Sequence, residues 1–343
     1  MDIEEVFGLA TEEGASDVHL VVGLPPVFRI DGQLCALVYK KDITNQELQK
    51  GIFSLLTSDQ KKVFLRELGL DFGLSLNNGV RLRINIHHEK NNVGLVARII
   101  NEEIPSLEDI QTPEVVKTIL ENQQGLILIT GPTGCGKSTT LAAMINYINQ
   151  TRNANIVTLE DPIEFIFKPK KSIILQRQLG TDMITFNKGL KHILRQDPDI
   201  IMIGEMRDLE TISAAITLAE TGHLVLATLH TYSSAQTIDR IIDIFDPYKQ
   251  NQIRMQLSVT LRLVLSQRLL PGLKGKRVAV REIMINNSAI ANLIREHKTE
   301  QIKNAIETSG DIGMFSLNQD LKRLVNAKII SEDVAKIHYQ DVI

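Results

Sequence analysis

Apolar positions follow two different rhythms along the chain, with the change near residue 114. Through residue 100, short stretches alternate apolar and polar positions: "DVHLVV", "PVFRIDG", "LCALVY", "VRLRINIHH" and "GLVARII". A period of two predicts strands buried on one face, and the turns "GLPP" and "DG" separate them. Between them "TNQELQKGIFSLLTSDQKKVFLRELG" has helical spacing, with Thr44 as its N-cap. Residues 1–100 are therefore predicted to form a small α+β domain. Residues 101–113 carry Pro105 and Pro113 with little apolar periodicity and are predicted to be a linker.

From residue 114 the apolar runs become continuous: "GLILIT", "NIVTL", "DIIMI" and "HLVLAT". Such runs suit strands buried on both faces of a parallel sheet. Each is followed at once by polar residues, "GPTGCGKST", "EDPIE", "GEMRD" and "LHT". Open α/β sheets bind ligands at the carboxyl ends of their strands. Residues 114–271 are thus predicted to be an α/β core with a predominantly parallel sheet, and one crevice should gather residues near 131, 160, 205 and 230. Beyond it "NSAIANLIREHKTEQIKNAIET" and "SLNQDLKRLVNAKI" are amphipathic, so 272–343 is predicted to be a C-terminal helical subdomain.

Composition narrows the class of protein. No stretch approaches 18 consecutive apolar residues, so a membrane span is not expected. The start, "MDIEEVFGLA", lacks the basic and apolar regions of a signal peptide, and a cytoplasmic protein is expected. The two cysteines, Cys35 and Cys135, are too few for a disulfide framework or a four-cysteine zinc site. A net charge of -3 and a pI of about 6.3 argue against a nucleic-acid partner.

The chemistry begins at "GPTGCGKST". Gly131, Gly136, Lys137 and Ser138 fit the phosphate-loop pattern between a predicted strand and a predicted helix. Glycines let backbone N–H groups wrap phosphate oxygens, and the helix N-terminus adds positive charge. Thr133, Gly134, Cys135 and Thr139 complete the expected nucleotide-binding stretch. Lys137 should reach the β and γ phosphates and Ser138 should ligate Mg²⁺. ATP is expected over GTP, because the Asn-Lys pair in "NKGL" lacks the aspartate that reads guanine. Cys135 in this electropositive loop is expected to be a thiolate more reactive than Cys35.

Acids follow two other runs. "DPDIIMIGE" has the Walker B form and ends on Glu205, a candidate to orient or deprotonate the attacking water or to reach Mg²⁺ through water. "LEDPIEF" supplies Glu160, Asp161 and Glu164; they are either a solvated loop or further partners of Mg²⁺ and water, with Glu164 the first choice. His223 and His230 flank "LVLAT". Seven residues along one strand is an odd step, so the rings should face opposite ways, which disfavours a shared metal. His223 is open between a functional role and a core or helix-capping one.

Together "GPTGCGKST", "VTLEDPIEF", "RQDPDIIMIGEMRDLET" and "TGHLVLATLHT" resemble the Walker A, Asp box, Walker B and His box of the secretion and type IV pilus ATPases. "ASDVHL" at 15–20 and "AIANLIRE" at 289–296 resemble motifs of the PilT-type retraction group, with Ala291 where that group usually has arginine. The resemblance implies a RecA-like ATPase domain behind a PAS-like N-terminal domain. It also implies a homohexamer that uses ATP and Mg²⁺ at the inner face of the cytoplasmic membrane. Its partner there would be the cytoplasmic part of an inner-membrane platform protein, through which alone it would meet the membrane. Under this resemblance His230 senses the γ-phosphate, and Arg83 and Arg98 reach the nucleotide of the adjacent subunit. Arg81 shares the strand face of Arg83, whereas Arg195, Arg207 and Arg240 are expected in ion pairs or interfaces. In "AIANLIRE", Ile290, Leu293 and Ile294 should pack inward while Arg295 and Glu296 face a partner. Pilus extension or type II secretion is the same chemistry with opposite work; a DNA translocase and a regulatory nucleotide-binding protein are the readings of other classes.

Overall fold

Two sheets account for the two rhythms. The computed structural model describes residues 2–30, 32–37, 40–76, 79–100 and 103–339. The chain divides into one unit of Met1–Glu103 with Pro162–Ile166 and a second of Ile104–Asp161 with Phe167–Ile343. The short segment 162–166, the end of "EDPIEF" with Ile166, thus clusters with the N-terminal unit.

In the first unit α1 (Ile3–Glu12) precedes β1 (Asp17–Leu20), β2 (Val27–Ile30) and β3 (Gln33–Ala36). Then come α2 (Asn45–Leu55), α3 (Ser58–Glu67), β4 (Gly69–Ser75), β5 (Arg81–Glu89) and β6 (Asn92–Ile100). The strands make one antiparallel sheet in the order β3-β2-β1-β6-β5-β4. Alternation decides its faces: Leu82, Ile84 and Ile86 of β5 are buried, and Arg81, Arg83 and Asn85 between them are half-buried. The buried set packs with Phe7, Phe28 and Phe64. The single helix expected from Thr44 onward is instead two. Thr57 begins a second capping box, its hydroxyl accepting from Gln60 N–H while the Gln60 side chain accepts from Thr57 N–H. Leu56 is extended just before it, so the chain turns and restarts. The sequence prediction also lacks β4, whose two glycines and Asp71 give a weak strand signal; pairing along β5 holds the segment extended.

The second unit opens with α4 (Val115–Leu120), β7 (Gly125–Thr130), α5 (Lys137–Thr151), β8 (Asn155–Glu160) and β9 (Ile173–Gln178). It continues through α6 (Phe186–Ile193), β10 (Ile200–Ile203), α7 (Leu209–Glu220), β11 (Leu224–Leu229), α8 (Ser234–Asp243) and α9 (Pro247–Thr260). Last come β12 (Leu261–Pro271), β13 (Arg277–Ile285), α10 (Ser288–Arg295), α11 (Ile302–Glu307), α12 (Leu317–Asn326) and α13 (Glu332–His338). The sheet order is β13-β12-β7-β11-β10-β8-β9, parallel except for β13. This is the α/β architecture the apolar runs predict. Leu126, Leu128, Val157, Ile201, Val225 and Ala227 are fully buried in its core. Each large side chain so buried contributes about 1.5–3 kcal/mol, which makes the sheet a rigid base for the loops at its edge.

The stretch from 272 to 343 is not helical throughout. β13 pairs antiparallel with β12 before the helices begin at Ser288. Its Val280, Ile283 and Met284 are fully buried, whereas the flanking "GLKGKR" turn suggests only a break. The residues read as linker are also less free than their prolines suggest. Arg281 donates to the carbonyls of Ile110 and Gln111 at 2.6 and 2.9 Å, and Lys117 meets Glu108 at 2.5 Å. Burial brings Arg281 down to about 10, so it stays charged at neutral pH while it holds this segment to the second unit.

Candidate nucleotide site

The loop after β7 is shaped by three glycines with positive φ: Gly131 at 143°, Gly134 at 77° and Gly136 at 88°. A Cβ on Gly131 would meet the Gln267 carbonyl oxygen at 2.2 Å, so only glycine fits against β12 there. Gly136 is the N-cap of α5, and no side chain caps that helix. Its first N–H groups can therefore serve an anion. Lys137 is buried, and its ammonium donates to the carbonyls of Gly131 and Pro132 at 2.8 and 3.0 Å. Ser138 lies exposed in the first turn of α5, Thr139 is half-buried beside it, and Thr133 and Gly134 are exposed on the loop.

A residue absent from the sequence reading braces this loop. Gln267 on β12 is 2% exposed; it donates to the Cys135 carbonyl at 2.8 Å and accepts from the Thr140 hydroxyl at 3.0 Å. One position earlier, Ser266 accepts from Thr130 at 2.8 Å. The signal in the sequence was the polar pair Ser266-Gln267 directly after the apolar run 263–265. Cys135 itself departs from expectation. It is buried, and burial outweighs Lys137 and the nearby hydrogen bonds, so its thiol is pushed up rather than down. The exposed cysteine is Cys35.

At the ends of the neighbouring strands, Glu205 and His230 come together: His230 Nε2 is 3.0 Å from Glu205 Oε1, and Arg207 Nη2 is 2.8 Å from Oε2. The turn that carries Glu205 is clamped on both sides. Gly204 N–H donates to Leu159 of β8, and the Thr228 hydroxyl of β11 donates to the Gly204 carbonyl. Burial alone would raise the Glu205 carboxyl, but the Arg207 hydrogen bond and the His230 and Arg207 charges prevail and hold it below its ordinary value. It is thus an ionised carboxylate at neutral pH. His223, at the other end of β11, lies 3.0 Å from the Leu218 carbonyl at the end of α7, which is the helix-capping role. Among the described residues no cluster of three His, Cys, Asp or Glu is placed to hold a metal.

The "LEDPIEF" acids separate. Glu160 is buried and accepts from Thr158 at 2.6 Å and Gln176 at 3.0 Å; Asp161 is exposed. Glu164 belongs to the first unit, where its Oε1 lies 3.6 Å from Arg83 Nη1. Arg81 donates to the Ile163 carbonyl at 3.1 Å and to Ser75 at 3.2 Å. Arg98 is held by Asp17 at 2.9 Å. Of the other arginines, Arg207 forms its ion pair and Arg195 and Arg240 are exposed. On α10, Ile290 and Ile294 are buried, Leu293 packs against the core, Ala291 is half-buried, and Arg295 and Glu296 are exposed.

Residues 1–341 match the family described as Type II/IV secretion system protein. The chain belongs to that family. It is 44% identical over 336 residues to the type IV pilus retractation ATPase PilT of Pseudomonas aeruginosa, covering 98% of this chain and 97% of that one. To the twitching motility protein of Neisseria gonorrhoeae it is 42% identical over 317 residues, 92% of this chain and 84% of the relative. A solved structure of the pilus retraction motor PilT with bound ADP superposes with a TM-score of 0.94 at 42% identity, covering 100% of this chain and 98% of the other. The second unit is accordingly a RecA-like domain, and the chain is an ATPase. No described helix is long and apolar enough to cross a membrane.

Proposed function

We propose that this chain is a homohexameric motor that hydrolyses ATP to drive type IV pilus retraction. The observation that carries this reading is the match to PilT over nearly the full length of both chains. In the proposed reaction the N–H groups of the 131–139 loop bind the phosphates, and Lys137 exchanges its loop carbonyls for phosphate oxygens. Glu205 takes the proton of the attacking water, with Arg207 fixing one oxygen and His230 the other. His230 thereby registers whether that carboxylate is engaged.

The residues suit Mg²⁺, which prefers few protein ligands alongside phosphate oxygens and water. The Ser138 hydroxyl would hold it directly and Glu205 through water; bound there, it would offset phosphate charge. Glu164 we assign to Arg83 rather than to the metal, since the two share a unit and an ion pair. Arg83 and Arg98 would act on the nucleotide of a neighbouring copy. The ring would work at the inner face of the cytoplasmic membrane on the cytoplasmic part of a platform protein, with Arg295 and Glu296 candidates to meet it. A gene-deletion strain tests the direction of work. Surplus surface pili without twitching is the expected result; bald cells would overturn retraction in favour of extension.

A further inference from the structure

The nucleotide site leaves the "ASDVHL" stretch without a role. Its Asp17 stands in register with Arg29 on β2 and Arg98 on β6, and Arg98 stands in register with Arg83 on β5. Directly opposed residues share a face, so one row across the sheet reads Arg29, Asp17, Arg98, Arg83. A single carboxylate lies among three guanidinium groups, on the face opposite the core residues Val18, Leu82, Ile84 and Ala97.

The members of the row differ in how they are held. Asp17 is 8% exposed. Its Oδ1 accepts from Arg98 Nε at 2.9 Å, its Oδ2 accepts from the Ser16 hydroxyl at 2.8 Å, and Arg29 Nε is 3.9 Å away. Burial would raise its carboxyl, but the hydrogen bonds from Arg98 and Ser16 and the Arg98 charge hold it below its ordinary value. Arg29 uses its Nη1 on the Gly32 carbonyl, and Arg83 its Nη1 on Glu164. Arg98 differs. Its side chain is 68% exposed, and its contact with Asp17 is made through Nε. A guanidinium is a planar fork of five N–H donors. Docked by Nε to a buried carboxylate, it has its plane fixed and its Nη groups left to face outward. An arginine without such a dock would surrender the rotamer freedom of a long side chain at each encounter; this one has surrendered it already.

We infer that Asp17 is the positioning residue for Arg98, holding its guanidinium by Nε so that the Nη groups meet a phosphoryl oxygen of a nucleotide bound by another copy of the chain. The inference rests on the proposed action of Arg98 across copies. In this role Asp17 acts only through Arg98.

Steady-state turnover of the assembled protein decides it, with thermal melting run on each variant. Arg98→Ala should lower kcat by about 10²-fold or more, as loss of a charge-stabilising arginine does. Asp17→Asn should lower kcat by about tenfold and leave KM for ATP within about twofold, because the arginine acts on the transition state and not on ground-state binding. The two changes together should be no slower than Arg98→Ala alone. Arg98→Lys keeps the charge but has no Nε, so it should be nearly as slow as Arg98→Ala with Asp17 untouched. Should Asp17→Asn fold poorly, the lysine variant still decides, since full turnover there removes any need for the dock. If Asp17→Asn slows the Arg98→Ala background by the same tenfold, Asp17 merely supports the sheet and the inference is wrong. Full turnover of Asp17→Asn beside a slow Arg98→Ala overturns this inference alone. Full turnover of Arg98→Ala overturns the action of Arg98 across copies as well.

Discussion

The two sheets carry their proposed functional residues in different ways. In the second unit the candidates stand just past the ends of strands buried on both faces, Lys137 at the start of α5 and Glu205 and His230 on the segments after β10 and β11. In the first unit they sit on the strands themselves, on the polar face of a sheet buried on one side, as Asp17, Arg83 and Arg98 do. A buried parallel sheet has no polar face to offer, so its chemistry is confined to the strand ends. An antiparallel sheet with one open face can place charge anywhere along a row. The difference teaches that losses in the second unit should be local and chemical, whereas losses in the first should depend on a second copy of the chain.

The largest effect expected is therefore at the strand ends. Lys137→Ala should abolish turnover, and Glu205→Gln should bind ATP yet hydrolyse it slower by about 10²-fold or more. Near-normal turnover of Glu205→Gln would move the base to another acid. The pH profile checks the same assignment. A carboxyl held below its ordinary value stays ionised through and below the pH at which a free glutamate takes up its proton. Glu205 should then impose no acid limb above about pH 5, and a limb near neutrality would belong to a different group.

Next in size is the dependence on a neighbour. An Arg83→Ala chain mixed with a Lys137→Ala chain should recover part of the activity that each lacks alone, since some interfaces would pair an intact loop with an intact arginine. No recovery despite proven subunit exchange would erase the contrast between the units.

A smaller effect is expected at Gln267. Gln267→Leu strands the Cys135 carbonyl and the Thr140 hydroxyl, each at about 1–3 kcal/mol. The variant should melt lower and show a raised KM for ATP; an unchanged KM would mean the loop holds its shape without this brace. The smallest effect concerns thiol labelling. Cys135, buried and with its thiol pushed up, should react with maleimide more slowly than the exposed Cys35, with or without Mg-ATP. Faster labelling of Cys135, with loss of activity, would show that the loop opens in solution.

Legibility follows the same contrast. The strands β7, β8, β10 and β11 were readable because burial on both faces demands an unbroken apolar run. Their polar ends were readable because the chain itself places them a residue or two later. β12 and β13 were not, because Arg262, Gln267, Arg268 and Arg281 interrupt their runs. Those side chains are accommodated by partners far along the chain, such as Cys135 for Gln267 and the 110–111 carbonyls for Arg281. Cys135 misled for a related reason. Its neighbours in sequence are positive, but its depth is decided by β12 packing over the loop.

The sequence by itself determined the class of chemistry. A glycine-rich loop between an apolar strand and a helix, followed by further strands ending in acid and histidine, is a local pattern whose physics needs little else. Only the tertiary structure decided which charges meet. Asp17 and Arg98 lie 81 residues apart, as do Arg83 and Glu164, and nothing local links either pair. Antiparallel register brings the first pair together, and the clustering of 162–166 with the N-terminal unit brings the second. Coulomb interactions act through space, and distance in space is set by folding rather than by position along the chain.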